Sequence, residues 1–264
     1  MDPTVRQERP APPEVAGVGI DSAARTDVGK VRRINEDACL DRAELGLWAV
    51  ADGVGGWHAG DRASGLVVEL LRSVEPAANA AAFLASVRGR LEHANAELLR
   101  EGELSGRPSA TTVVVLLISG RHYACVWAGD SRLYLWRAGE LRQLTRDHTE
   151  AQALADAGIM SLEEAERQTN RNAIARAIGA DAVLELEMLH GALEEGDLLL
   201  LCTDGLTKML RDEEIAASLA WAPPRAVVET LVDQSLERGA IDNVTVVAVR
   251  FGRNPLASDP PGAP

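Results

Sequence analysis

Four aspartates stand where apolar runs end, and they are the residues best placed to do chemistry. Leu47-Trp48-Ala49-Val50-Ala51 runs into Asp52-Gly53, and Val126-Trp127-Ala128-Gly129 into Asp130. Leu198 to Thr203 runs into Asp204-Gly205, and Asp242-Asn243 opens the run Val244 to Phe251. Aspartate is depleted in strands and is not buried charged without a partner. Four of them at the ends of core strands would converge on one rim, and cations would have to relieve their repulsion. Hard oxygen ligands of this kind suit Mg or Mn. Glycine after Asp52 lets the backbone approach an ion and leaves the Gly53 carbonyl free to be a ligand. A single Asp-Gly makes an ordinary turn; four acids in this arrangement with the flanking motifs do not.

A second cluster precedes them. Arg32 stands ahead of Asn35-Glu36-Asp37. An arginine there can grip a phosphate with its fork while Glu36 and Asp37 order metal waters.

These residues need elements to hold them. Val15 to Ala24 and Leu45 to Ala51 read as strands. Residues 60–72 and 80–100 read as helices, with apolar residues at three- and four-residue spacing. Thr111 to Ser119 and Tyr123 to Ala128, separated by Gly120-Arg121, form a hairpin, and so do Leu133 to Trp136 and Leu141 to Leu144. Residues 149–157 and 161–168 are short polar helices. Leu198 to Cys202 is a strand, residues 212–220 and 224–238 are helices, and Val244 to Phe251 closes the order. Consecutive hairpins with helices in pairs predict an α+β fold, helices layered on antiparallel sheets. Residues 1–15 and 253–264, rich in proline and polar residues, are expected to be disordered tails around a domain spanning 16–252.

Composition narrows the classes. The chain of 264 residues has a net charge of −13, which disfavours a protein that grips nucleic-acid backbones. Its three cysteines, Cys39, Cys125 and Cys202, lie far apart in strand-like runs and read as buried free thiols, which fits a reducing, cytoplasmic setting. The N-terminus has charges and prolines where a signal peptide needs an apolar run, and no stretch is apolar enough for a membrane span.

Eight blocks in order resemble the metal-dependent type-2C serine/threonine protein phosphatases, the PPM family, over residues 17–251. They are Thr26-Asp27-Val28-Gly29 with Arg32 and Asn35-Glu36-Asp37; Ala51-Asp52-Gly53-Val54-Gly55-Gly56; Ser109-Ala110-Thr111-Thr112; Ala128-Gly129-Asp130-Ser131-Arg132; Leu144-Thr145-Arg146-Asp147-His148; Ala175-Arg176-Ala177-Ile178-Gly179; Cys202-Thr203-Asp204-Gly205-Leu206; and Asp242-Asn243-Val244-Thr245. The blocks around Asp52 and Asp204 look like the stand-alone bacterial members that oppose Hanks-type kinases, some of which regulate type VI secretion.

The resemblance implies a four-layer α-β-β-α sandwich with the metal site at one edge. It also implies hydrolysis of phosphoserine and phosphothreonine by a metal-activated hydroxide, with Mn or Mg as cofactor. Asp52 would bridge two ions, and Asp204 and Asp242 would complete one site. The Gly53 carbonyl would complete the other, with Glu36 or Asp37 acting through waters. Asp130, with Asp204, would hold a third ion, and Arg32 would bind the substrate phosphate. Residues 149–172 align with the mobile flap of bacterial members. Two positions depart from the pattern. Trp57 stands where bacterial relatives carry a histidine proposed as the proton donor; the neighbouring His58 could substitute as general acid, and a metal-bound water could also serve. Ala110 replaces a usual glycine. His148, in the Asp147-His148-Thr149 turn, reads as a hydrogen-bonded structural residue. Expected partners are phosphoproteins and a Ser/Thr kinase, and the protein is expected to be a monomer. The competing readings are a pseudophosphatase that binds phosphoproteins without cleaving them, a regulatory phosphatase with one substrate, and a phosphodiesterase.

Overall fold

The structure is a computed structural model and describes residues 19–55, 59–168, 173–219 and 222–252. In chain order its elements are β1 (Ile20–Asp27), β2 (Asp37–Arg42), β3 (Leu47–Val54), α1 (Ala59–Arg72), α2 (Ala80–Ser105), β4 (Ala110–Thr111), β5 (Val113–Ser119), β6 (His122–Ala128), β7 (Arg132–Arg137), β8 (Glu140–Gln143), α3 (Glu150–Asp156), α4 (Leu162–Gln168), β9 (Glu187–Ala192), β10 (Leu198–Cys202), α5 (Asp204–Thr207), α6 (Asp212–Leu219), α7 (Pro224–Glu237) and β11 (Val244–Phe251).

Two antiparallel sheets form. One runs β1-β11-β10-β7-β8 and the other β2-β3-β5-β6-β9, with β4 paired to β3. Side chains alternate across each strand and sort the apolar residues into three layers. Along β11, Val247, Val249 and Phe251 face the second sheet and share a core with its Trp48 and Leu116. Val244, Val246 and Ala248 face the other way, onto α5, α6 and α7 through Leu206, Ile215 and Leu231. The second sheet's outer face packs on α1 and α2 through Val67, Leu71, Val87 and Leu91. The α-β-β-α sandwich is thus the one expected.

Differences from the sequence reading lie mostly at edges. The first strand runs Ile20–Asp27 because its backbone stays in register with β11 as far as Asp27 opposite Val244, although Arg25, Thr26 and Asp27 are polar. β2 and β9 carry no apolar run that would reveal them; each is the edge strand of the second sheet. α2 extends to Ser105 and stops at Gly106, whose φ of 66° belongs to the left-handed region. The expected tails at 1–15 and 253–264 lie outside the described residues. Among the described residues no helix is long and apolar enough to cross a membrane.

Candidate active site

The acids gather where the two sheets meet at one edge. β2 and β3 pair so that Asp37 stands directly opposite Asp52. Like charges in that position repel, so the pairing needs compensation. Asp52 is pinned through its backbone: Thr111 Oγ1 and the Thr112 N–H donate to its carbonyl at 3.0 and 2.9 Å, and its own N–H donates to Thr112 Oγ1 at 3.1 Å. Asp130 follows β6 through Gly129. Asp204 opens α5 at the end of β10, and Asp242 precedes β11.

From the other sheet, Thr203 and Thr245 donate to Asp37 Oδ2 at 2.8 and 2.7 Å. Asn243 clamps the segment carrying Arg32. Its Nδ2 donates to the carbonyls of Val28 and Ile34 at 2.9 Å, and its Oδ1 accepts the Glu36 N–H at 2.8 Å. Gly205 has no room for a side chain, because a methyl there would run into the Asn243 carbonyl oxygen.

The electrostatics are those of a site short of positive charge. Burial, followed by the fields of Asp37, Asp204 and Asp130, pushes the Asp52 carboxyl well above its ordinary value. Burial lifts Asp37 and Asp130 each to about 7, and it also raises Asp204. Burial works to raise Asp242 as well, but the Lys208 ammonium and the Arg32 guanidinium outweigh it and hold that carboxyl below its usual value. Burial also raises Glu36, against the pull of Arg32.

Three buried carboxylate oxygens, Oδ1 of Asp37, Asp130 and Asp204, have no hydrogen-bond partner. An orphaned buried anionic oxygen is costly, and three together, each on a residue expected to serve a metal, fit an oxygen-ligated hard cation. No three acid, histidine or cysteine side chains among the described residues stand close enough to share one ion. Two of the acids are instead taken by cations of the chain itself. Arg32 Nε and Nη2 lie 2.9 and 3.1 Å from Asp242 Oδ1 and Oδ2. Lys208 Nζ lies 2.5 Å from Asp204 and 2.9 Å from Asp242.

A cleft of about 590 Å³ opens over these groups and brings together Arg32, Asp130, Asp204 and Asp242. Asp37, Asp52, Gly53 and Glu36 do not line it. One wall is the α3–α4 segment, through Thr149, Gln152 and Leu162. Its base is closed by the Thr149–Ile174 bridge and by the Glu150 N–H on the Ala173 carbonyl. A separate apolar recess of about 270 Å³, between the start of α2 and the β6–β9 edge, contains none of the acids.

His148 ties the wall to the acidic rim. Its Nδ1 accepts the Gly129 N–H at 3.2 Å, its own N–H donates to the Gly129 carbonyl at 2.9 Å, and its carbonyl accepts from Ala175 at 2.7 Å. The ring stacks on Trp127 with centroids 6.0 Å apart. His148 is thus hydrogen-bonded, as expected from the sequence. Residues 169–172 of the expected flap, and His58 with Trp57, lie outside the described residues. Thr203, Thr245 and Lys208 were given no role from sequence. The i,i+4 spacing of Lys208 from Asp204 was the one signal available for the lysine.

Residues 30–238 match the family model described as protein phosphatase 2C. The chain belongs to this family. Similarity within the protein phosphatase 2C family covers nearly all of the described fold. The serine/threonine protein phosphatase PstP of Mycobacterium tuberculosis is 39% identical over 229 residues, which span 85% of this chain and 44% of that protein. Thus the chain spans less than half the length of that relative. Among solved structures, PppA, a key regulatory component of T6SS in Pseudomonas aeruginosa, superposes with a TM-score of 0.82 at 40% identity, covering 88% of this chain and 97% of that one. The catalytic domain of PstP in complex with two manganese ions superposes with a TM-score of 0.78 at 35% identity, covering 89% and 100%. A protein phosphatase 2C with two bound manganese ions accords with the oxygen-rich, cation-poor rim of this chain.

Proposed function

We propose that this protein is a Mn- or Mg-dependent protein phosphatase that hydrolyses phosphoserine and phosphothreonine, with residues 16–252 as its catalytic domain. The observation that carries the reading is the set of three unpartnered, buried carboxylate oxygens on Asp37, Asp130 and Asp204. Asp52 would serve two ions, with Asp204 and Asp242 on one side and the Gly53 carbonyl on the other. Glu36 and Asp37 would act through waters, and Asp130 would join Asp204 at a third ion. When bound, such ions polarise water and offset phosphoryl charge.

The chain's own residues do the rest. Arg32 is half-exposed at the cleft and holds Asp242 with two nitrogens, a fork that suits two oxygens of a phosphoryl group equally well. Asn243 fixes the segment that carries it. The α3–α4 wall limits water and shapes what protein substrate can enter. His58 is proposed as the proton donor to the leaving oxygen. None of this requires a cysteine nucleophile: Cys125 and Cys202 are buried, and burial pushes the Cys39 thiol up to about 11.

The similarity to PstP and PppA supports a bacterial setting in which the enzyme opposes a Hanks-type kinase, with regulation of type VI secretion as the pathway to test. The free thiols support a cytoplasmic location, and the protein is proposed to be a monomer. The deciding experiment is phosphate release from a phosphothreonine peptide with Mn, with Mg and with chelator. Turnover that requires metal supports the enzyme. No turnover while ions are bound would leave a phosphoprotein-binding member of the same fold.

A further inference from the structure

Lys208 makes the two halves of the acidic rim unequal. Asp204 opens α5 and Lys208 follows its last residue, one helical turn on, so the lysine side chain lies back over the aspartate. Its backbone N–H is fixed to the Asp204 carbonyl at 2.8 Å. Nζ reaches Asp204 Oδ2 at 2.5 Å and Asp242 Oδ2 at 2.9 Å. Three of the four carboxylate oxygens of this pair therefore already face cations of the chain: Lys208 takes one from each acid, and Arg32 takes Asp242 Oδ1 as well. Among the described residues no comparable ion pair is recorded on Asp37, Asp52 or Asp130.

We propose that Lys208 is a tethered cation that competes with divalent metal for Asp204 and Asp242, lowering the metal affinity of this half. The inference rests on reading the rim as a metal centre. A tethered competitor has a high effective concentration, so it depresses affinity without being consumed. An entering divalent ion must displace Nζ from both carboxylates, and it must then tolerate the ammonium nearby, because the lysine backbone cannot move away. Arg32 engages only Asp242 and from the open side of the cleft, so its release is the easier of the two.

The test is calorimetric titration of Mn²⁺ alone into chelator-treated protein, wild type against Lys208→Met, with thermal melts of both. One Mn²⁺ step is expected to tighten by about tenfold or more in the variant, the scale of removing one charge from a partly buried carboxylate pair. The chelated variant should melt lower than wild type and regain the difference when saturated with Mn²⁺. Mn²⁺ steps of unchanged affinity in the variant, with melts that do not diverge, would overturn the lysine's role while leaving the metal centre standing. No Mn²⁺ binding by either protein would overturn both. Lys208→Gln, which keeps the stem and a polar end, serves if the methionine variant does not fold, and the same step should tighten likewise. Lys208→Arg, which keeps the charge, should leave that step within about twofold.

Discussion

The Thr203 hydroxyl donates a 2.8 Å hydrogen bond to Asp37 Oδ2, joining the end of β10 in one sheet to the start of β2 in the other. Thr245 donates to the same oxygen at 2.7 Å, and Thr26 and Thr245 share a further 2.7 Å contact. The two sheets are thus fastened by hydroxyls beside the acids, where apolar packing gives out. Thr203→Val keeps the shape and removes one donor from a buried carboxylate. It should cost about 1.5–3 kcal/mol of unfolding free energy in urea titration. A loss within the error of the titration would mean that the hydroxyl is not fastening the sheets.

Asp204→Asn and Asp242→Asn should each lower kcat by about 100-fold or more, since even groups that only orient metal ligands cost 10–100-fold when removed. Circular dichroism should still report a folded protein. Wild-type turnover at saturating Mn in either variant would remove that residue from the metal centre.

Arg32→Ala removes a two-pronged charged contact. A loss of about 1.5–3 kcal/mol of phosphate binding would raise KM by roughly 10–100-fold, with a smaller change in kcat. Kinetics on a phosphopeptide series would reveal it; unchanged KM and kcat would assign Arg32 to Asp242 alone.

His148 sets a pH dependence of stability. Burial lowers the imidazole below its ordinary value; Arg176 adds to the effect, while Glu187 and Asp147 oppose it. The geometry agrees, since Nδ1 must stay unprotonated to accept the Gly129 N–H while Nε2 faces Glu187 at 3.3 Å. A depressed folded value means that the stabilisation is complete above the unfolded imidazole's value of about 6.5 and is lost as pH falls through the lower folded one. The melting-temperature gap between wild type and His148→Gln should therefore close between about pH 7.5 and about pH 5. A gap that stays constant would show that the ring contributes only by packing.

Most of the candidate site was legible because its acids terminate apolar runs. Asp52, Asp130, Asp204 and Asp242 each sit beside a strand core that periodicity reveals, and order along the chain did the rest. β2 escaped because Asp37-Ala-Cys-Leu-Asp-Arg is polar at both ends, and it is a strand through its pairing with β3. β9 escaped because an edge strand needs only one apolar face, and alternate residues from Met188 on are exposed. Thr203 and Thr245 looked like ordinary strand-end residues, since nothing local says that their hydroxyls share one oxygen.

By itself, the sequence determined the layering and the donor chemistry. Hydrophobic period and hairpin spacing specify antiparallel sheets under helix pairs, and the acids at strand ends supply hard oxygen donors. Tertiary structure alone decided which acids face each other and which cations of the chain reach them. Asp37 opposite Asp52 is a matter of strand register, and Arg32 on Asp242 joins residues 210 positions apart. Lys208 on both Asp204 and Asp242 depends on a helix beginning where β10 ends. Such contacts follow from how separate elements dock, and local preference carries no information about docking.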